Sequence, residues 1–87
     1  LSDEVLEENV VETVSVKLYP NPVNDLLTIE TNANYFSVTL YDVTGRAVMT
    51  VINETQLDVS GLNSGIYIAD VRDANGVSLY SGKLIKE

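Results

Sequence analysis

The chain contains no cysteine and no histidine. Disulfide staples and thiolate sites are therefore excluded, and so are the common catalytic triads and dyads and the His/Cys zinc sites. The lack of cysteine also removes the usual redox clue to compartment. Tryptophan is missing too; Phe36 and five tyrosines are all the aromatic mass, so any core must lean on Val, Leu and Ile. Positive charge is scarce: five Lys and Arg stand against thirteen Asp and Glu, a net charge of −8. That balance disfavours nucleic acid and anionic membrane surfaces, both of which reward cations. No apolar run approaches the length of a membrane span, and no signal-peptide pattern is visible. The first residue is Leu1 rather than methionine, which reads as a piece of a longer protein whose own leader would lie upstream.

At 87 residues the chain holds one domain at most, and 45% apolar residues suffice for a core. Residues 1–13 carry five acids (Asp3, Glu4, Glu7, Glu8, Glu12) and no base, the composition of a solvated linker. The alternative there is a helical turn that buries Leu6 and Val10, four residues apart.

From Val14 the hydrophobic period becomes two. Val14, Val16 and Leu18 alternate with polar neighbours, as a half-buried strand does. Tyr19-Pro20-Asn21-Pro22 follows. Each proline lacks a ladder donor and restricts the residue before it, so this stretch is a stiff corner between strands. Leu27 with Ile29, then Phe36, Val38 and Leu40, mark two further strands around an Asn32-Ala33-Asn34 turn. Asp42-Val43-Thr44-Gly45 is a hairpin signal, with an Asx side chain to bond local backbone and a glycine free to take positive φ. Ala47 to Ile52 and Gln56 to Val59 are the next strands, separated by Asn53-Glu54.

Ser60 to Gly65 is a loop with Leu62 as an apolar plug. Gly65 to Val71 is the richest β segment, and the charge on Asp70 places Tyr67, Ala69 and Val71 towards the core. Asp73-Ala74-Asn75-Gly76 is a second hairpin turn. Val77 to Lys86 is the last strand, with Gly82 read as a bulge. Seven short strands at roughly ten-residue spacing predict an all-β fold, an immunoglobulin-like antiparallel β-sandwich. No helix-period segment, internal repeat or low-complexity tract is present.

Searches for chemistry find none. A calcium loop measured back from Gly76 would begin at Val71, so its ligand pattern fails. No glycine loop precedes a helix to cradle phosphate. Asn53-Glu54-Thr55 fits a glycosylation acceptor triplet, a pattern that arises often by chance. The residues give no sign of an enzyme, a metal or a cofactor.

Four pieces carry a resemblance. They are Tyr19-Pro20-Asn21-Pro22, then Leu40 to Arg46 (LYDVTGR), then Leu57 to Tyr67 (LDVSGLNSGIY), then Lys83-Leu84-Ile85-Lys86, followed by Glu87. In this order and spacing, over residues 14–87, the chain resembles the C-terminal sorting domain of proteins exported by the type IX (Por) secretion system of Bacteroidetes. The resemblance implies an immunoglobulin-like sandwich at the end of a larger cargo protein, with no catalysis of its own. It implies passage from the periplasm through an outer-membrane translocon, handling by a shuttle protein, and removal by a sortase-like cysteine peptidase that cuts within or before residues 1–14. The cargo would end at the cell surface or in the medium. Neither nucleic acid nor direct membrane insertion is involved.

Each motif also has a purely structural reading. Turn chemistry alone explains Pro20, Asn21 and Pro22, and the same holds for Asp42 and Gly45. Arg46 pairs with Asp42 or contacts a partner, and local pairing is preferred. Gly65 ends a loop, while Tyr67 fills the core with its hydroxyl on a backbone group. Lys83, Leu84, Ile85 and Lys86 read either as a lysine-protected edge strand or as a free extended segment for a partner to grip by β-augmentation. The resemblance favours the second. The rival to a sorting signal is an immunoglobulin- or fibronectin-like accessory binding module of an extracellular enzyme or adhesin. Such modules display aromatics at loop tips, where this chain has only Tyr35. An inert spacer is the third reading.

Overall fold

The computed structural model describes residues 14–87. The segment 1–13, with both readings given to it above, lies outside the described residues. The strands are β1 (Val16–Tyr19), β2 (Leu26–Thr31), β3 (Ser37–Tyr41), β4 (Ala47–Ile52), β5 (Gln56–Asp58), β6 (Gly65–Arg72) and β7 (Ser78–Lys86). They form two antiparallel sheets with the orders β1-β2-β5 and β4-β3-β6-β7. This is the all-β sandwich expected. Relative to a constant-type immunoglobulin domain, the fourth strand pairs with the third instead of joining the first, second and fifth.

Period-two alternation sends one side of each strand inward. From the smaller sheet come Leu27 and Ile29 of β2 and Leu57 of β5, all but sealed from solvent. From the larger sheet, Val38 and Leu40 of β3 meet Tyr67, Ala69 and Val71 of β6 and Leu84 of β7. Tyr67, Ala69 and Val71 thus face inward as the charge on Asp70 implied. Leu62 packs half-buried against the core from the loop after β5. β1 starts at Val16 rather than Val14, which is 43% exposed.

Two bulges bend the larger sheet. On β4 the register skips Val48, because Leu40 pairs with Met49 and Tyr41 with Ala47. On β7 it skips Leu79, because Val71 pairs with Tyr80 and Arg72 with Ser78. Gly82 is therefore not a bulge: it pairs regularly with Ala69. Its lack of a side chain has another cause. A Cβ there would overlap the Tyr80 phenol, which lies across the glycine and packs against the core.

The two hairpin turns are copies of one device. In the first, Asp42 N–H donates to the Arg46 carbonyl at 2.9 Å, and Gly45 N–H donates to the Asp42 carbonyl at 2.9 Å. In the second, Asp73 N–H donates to the Val77 carbonyl at 2.9 Å, and Gly76 N–H to the Asp73 carbonyl at 3.0 Å. The aspartate Oδ1 also takes two backbone N–H groups in each turn, those of Thr44 and Arg46 in one and of Asn75 and Val77 in the other. Gly45 and Gly76 have φ of 88° and 82°, a region that costs an L-residue strain. Both turns run into a bulge, which accommodates the extra residue of the loop. The likeness is not visible as a sequence repeat because only Asp and Gly are shared between the two.

Candidate functional site

β1 runs along the smaller sheet and then stops at Tyr19, where the proline corner takes the chain across to the larger one. Both bonds, Tyr19–Pro20 and Asn21–Pro22, are cis. The corner delivers Asn21 to the outer edge of β7. There its carboxamide acts as a peptide group would: Nδ2 donates to the Lys83 carbonyl at 2.9 Å, and Oδ1 accepts the Ile85 N–H at 2.9 Å. Val23 continues the pairing through its own main chain. Its N–H donates to the Ile85 carbonyl at 2.8 Å, its carbonyl accepts the Glu87 N–H at 2.9 Å, and it forms a parallel bridge with Lys86. The fully buried Val23 side chain anchors this clip in the core.

The last strand is therefore not free over residues 83–87, and the expectation of an open edge for β-augmentation there is corrected. β6 pairs with it within the sheet, and on the outer edge the Asn21–Val23 clip takes the Lys83 carbonyl, the Ile85 N–H and carbonyl and the Glu87 N–H. What remains outward are alternate side chains. Lys83 and Ile85 are exposed, whereas Leu84 is a core residue and Lys86 turns inward with 8% exposure. Lys86 Nζ donates to the Glu87 main-chain oxygen at 2.8 Å. The four residues proposed to meet a partner thus divide into a presented pair and an anchoring pair.

The other motif residues are placed as follows. Gly65 opens β6 opposite Lys86, so the third motif abuts the fourth. The Tyr67 hydroxyl donates to the Asn63 carbonyl at 2.7 Å, the tyrosine corner of immunoglobulin-like sandwiches. Asp42 and Gly45 build the first hairpin turn. Arg46 pairs with Asp42, Nε to Oδ2 at 3.4 Å, yet its side chain stays 76% exposed. The Thr44 hydroxyl and the Arg46 N–H hold the Asp42 carboxyl below its usual range, with help from the Thr44 N–H and the Arg46 charge. In the loop before β6, the Ser60 hydroxyl and N–H do the same for Asp58.

Outside the motifs one buried polar group stands out. Asp70, 7% exposed, points to the outer side of the larger sheet under Arg72 Nε at 2.6 Å and the Ser78 hydroxyl at 2.9 Å. The same bond raises the Arg72 guanidinium pKa. Asn53 has a structural use as well. Its Oδ1 accepts the Phe36 N–H at 3.0 Å and its N–H donates to the Phe36 carbonyl, with φ at 56°, which explains that residue without glycosylation. Among the described residues no group of three His, Cys, Asp or Glu side chains is placed to hold a metal ion.

Sequence reasoning missed the union of Asn21 with β7. The available signal was the residue between the prolines: asparagine alone offers a donor and an acceptor at about the spacing of a peptide group on a short stem. No curated protein matches the chain. The family model for the secretion system C-terminal sorting domain matches residues 17–87, from β1 through the clip, both turns and the tyrosine corner to β7. That family is not an enzymatic one; it comprises the signals by which type IX secretion exports proteins to the cell surface or the medium. The chain belongs to the secretion system C-terminal sorting domain family, as a type IX sorting signal.

Proposed function

We propose that residues 14–87 form the sorting domain proper and that residues 1–13 link it to a larger cargo protein. The cargo passes from the periplasm through an outer-membrane translocon. A shuttle protein then brings it to a sortase-like cysteine peptidase, which cuts within or before residues 1–14. Lys83, Leu84, Ile85 and Lys86 are the segment the export machinery reads. One observation supports this above others. The Asn21 carboxamide, bonded to Lys83 and Ile85, fuses the proline corner and the final strand into one surface although 62 residues separate Asn21 from Lys83. Two motifs distant in the chain thus form a single epitope. Leu84 and Lys86 hold its backbone against the sandwich, while Lys83 and Ile85 display a cation and an apolar side chain. In this reading recognition is of side chains on a paired, rigid strand, which loses little entropy on binding.

The test is an exported reporter fused ahead of residues 1–87 in a type IX-secreting bacterium. Lys83→Glu with Ile85→Ser changes exposed groups only, so the fold is preserved, and the reporter should accumulate in the periplasm. Unimpaired surface delivery by that variant, and by a chain lacking Lys83 to Glu87, would refute the assignment.

A further inference from the structure

The outer side of the four-stranded sheet is divided in two. Towards the β6–β7 turn the cross-strand row of Ser81, Asp70, Thr39 and Thr50 is polar throughout. At the opposite end the rows are apolar. Ile85 lies beside Ile66, and Ile68 lies between Lys83 and Tyr41. There Tyr41, Asp42, Val43, Gly45, Ile66 and Ile68 line an open groove of about 450 Å³.

Exposed isoleucines in a strand need no special cause, since β propensity favours them. Val43 is different. It sits in a turn, 79% exposed, where strand propensity has no bearing. The second turn makes the same hydrogen bonds with Ala74 at the equivalent place, so the backbone does not call for valine. Together Val43, Ile66 and Ile68 make a contiguous patch, which is the informative form of surface hydrophobicity. Charge then limits what can cover it. In a chain of net charge −8, two of the five cations border this groove: exposed Lys83 in the row of Ile68, and Arg46 beside Asp42 with its side chain 76% exposed. Asp42 lines the groove and pairs with Arg46, offsetting its charge, so Lys83 leaves the border net positive. Apolar groups beside a net cation complement apolar groups flanked by carboxylates.

We propose that this groove is a docking surface for a protein of the export route that presents apolar side chains flanked by Asp or Glu. The proposal rests on the sorting-signal reading and adds a second contact face beside the Lys83–Lys86 epitope. Binding there desolvates Val43, Ile66 and Ile68, with Arg46 and Lys83 fixing the partner's orientation.

The experiment uses the same reporter fusion with the triple variant Val43→Ser, Ile66→Thr, Ile68→Thr. A matched control, Leu26→Thr with Ile52→Thr, removes exposed apolar groups elsewhere. Thermal melts of the purified 87-residue chains establish folding. The triple variant should lose export by about tenfold or more while the control keeps it. Arg46→Gln should lose a smaller part. Should the triple variant fail to fold, Val43→Ser alone carries the test, since that side chain touches solvent and not the core.

Parental export by a folded triple variant, with export abolished when residues 14–87 are deleted, would overturn the docking face and leave the sorting signal standing. Export that survives deletion of residues 14–87 would remove both. A parent chain that sediments as a dimer, with the triple variant monomeric and exported normally, would assign the face to a second copy and overturn the proposal as well.

Discussion

Asn21 and Ile85 are hydrogen-bonded at 2.9 Å, side-chain oxygen to main-chain N–H, across a sequence separation of 64 residues. With the second bond from Nδ2 to Lys83, one carboxamide replaces a missing strand neighbour at the edge of β7. Asn21→Ala leaves both backbone groups to water and is expected to cost about 1–3 kcal/mol of stability in urea unfolding. Asn21→Asp should cost more, since it loses the donor and sets a carboxylate against the Lys83 carbonyl. Hydrogen exchange offers a local check: the Ile85 amide should lose protection in Asn21→Ala, which removes its acceptor, while the Tyr67 amide keeps it until global unfolding. Equal protection of Ile85 in parent and variant would show that the clip is not held by this side chain.

Tyr67 ties the loop before β6 to the start of that strand through its hydroxyl. Tyr67→Phe keeps the ring in the core and removes one partly buried bond, leaving the Asn63 carbonyl without it. A loss of about 1–2 kcal/mol is expected, with the urea m-value unchanged because the compact state is the same.

The twin turns predict twin effects. Gly45→Ala and Gly76→Ala each place a side chain at φ near 85°, between the observed 88° and 82°, and nothing crowds the new Cβ in either place. Each should therefore cost about 1–2 kcal/mol from backbone strain alone. The turns lie at opposite ends of β3, so the double variant should show the sum. Unequal losses would mean that the two loops, though alike in hydrogen bonding, carry different loads.

Acid sensitivity follows from the aspartates that cap their own turns. The pKa values of Asp42 and Asp58 are lowered in the folded protein, chiefly by the Thr44 and Ser60 hydroxyls. A lowered folded pKa means the stabilising contribution is fully present above the unfolded value and is lost as pH falls through the folded one. The melting temperature should show no acid-driven loss from these groups between neutral pH and about 5, then fall below about pH 4. Asp42→Asn with Asp58→Asn keeps an acceptor at each place but removes the ionisation, so the decline below pH 4 should be shallower. An unchanged acid limb would assign it to other carboxylates.

Much of the molecule was legible without coordinates. Alternation at Val16 and Leu18, Leu27 and Ile29, and Val38 and Leu40 gave strands because a pleated chain can bury only every second side chain. Asp-x-x-Gly gave the turns because a short acceptor and a residue tolerant of positive φ suffice locally. Gly82 is not legible this way for the complementary reason: its role depends on Tyr80, and a glycine in isolation does not say what lies over it. The terminal Lys-Leu-Ile-Lys segment was seen as a contact candidate, but the sequence could not say which of the four side chains faces outward.

The chain by itself determined the all-β class and the strand and turn positions, which rest on neighbours within a few residues, and the family, which rests on the order and spacing of four motifs along the chain. Only the tertiary structure decided that the proline corner closes the edge of the final strand, that Leu84 and Lys86 are anchors while Lys83 and Ile85 are displayed, and that Val43, Ile66 and Ile68 share one groove. Those facts depend on pairings across tens of residues. In the unfolded chain nothing holds such residues together; packing of the two sheets fixes them in one place.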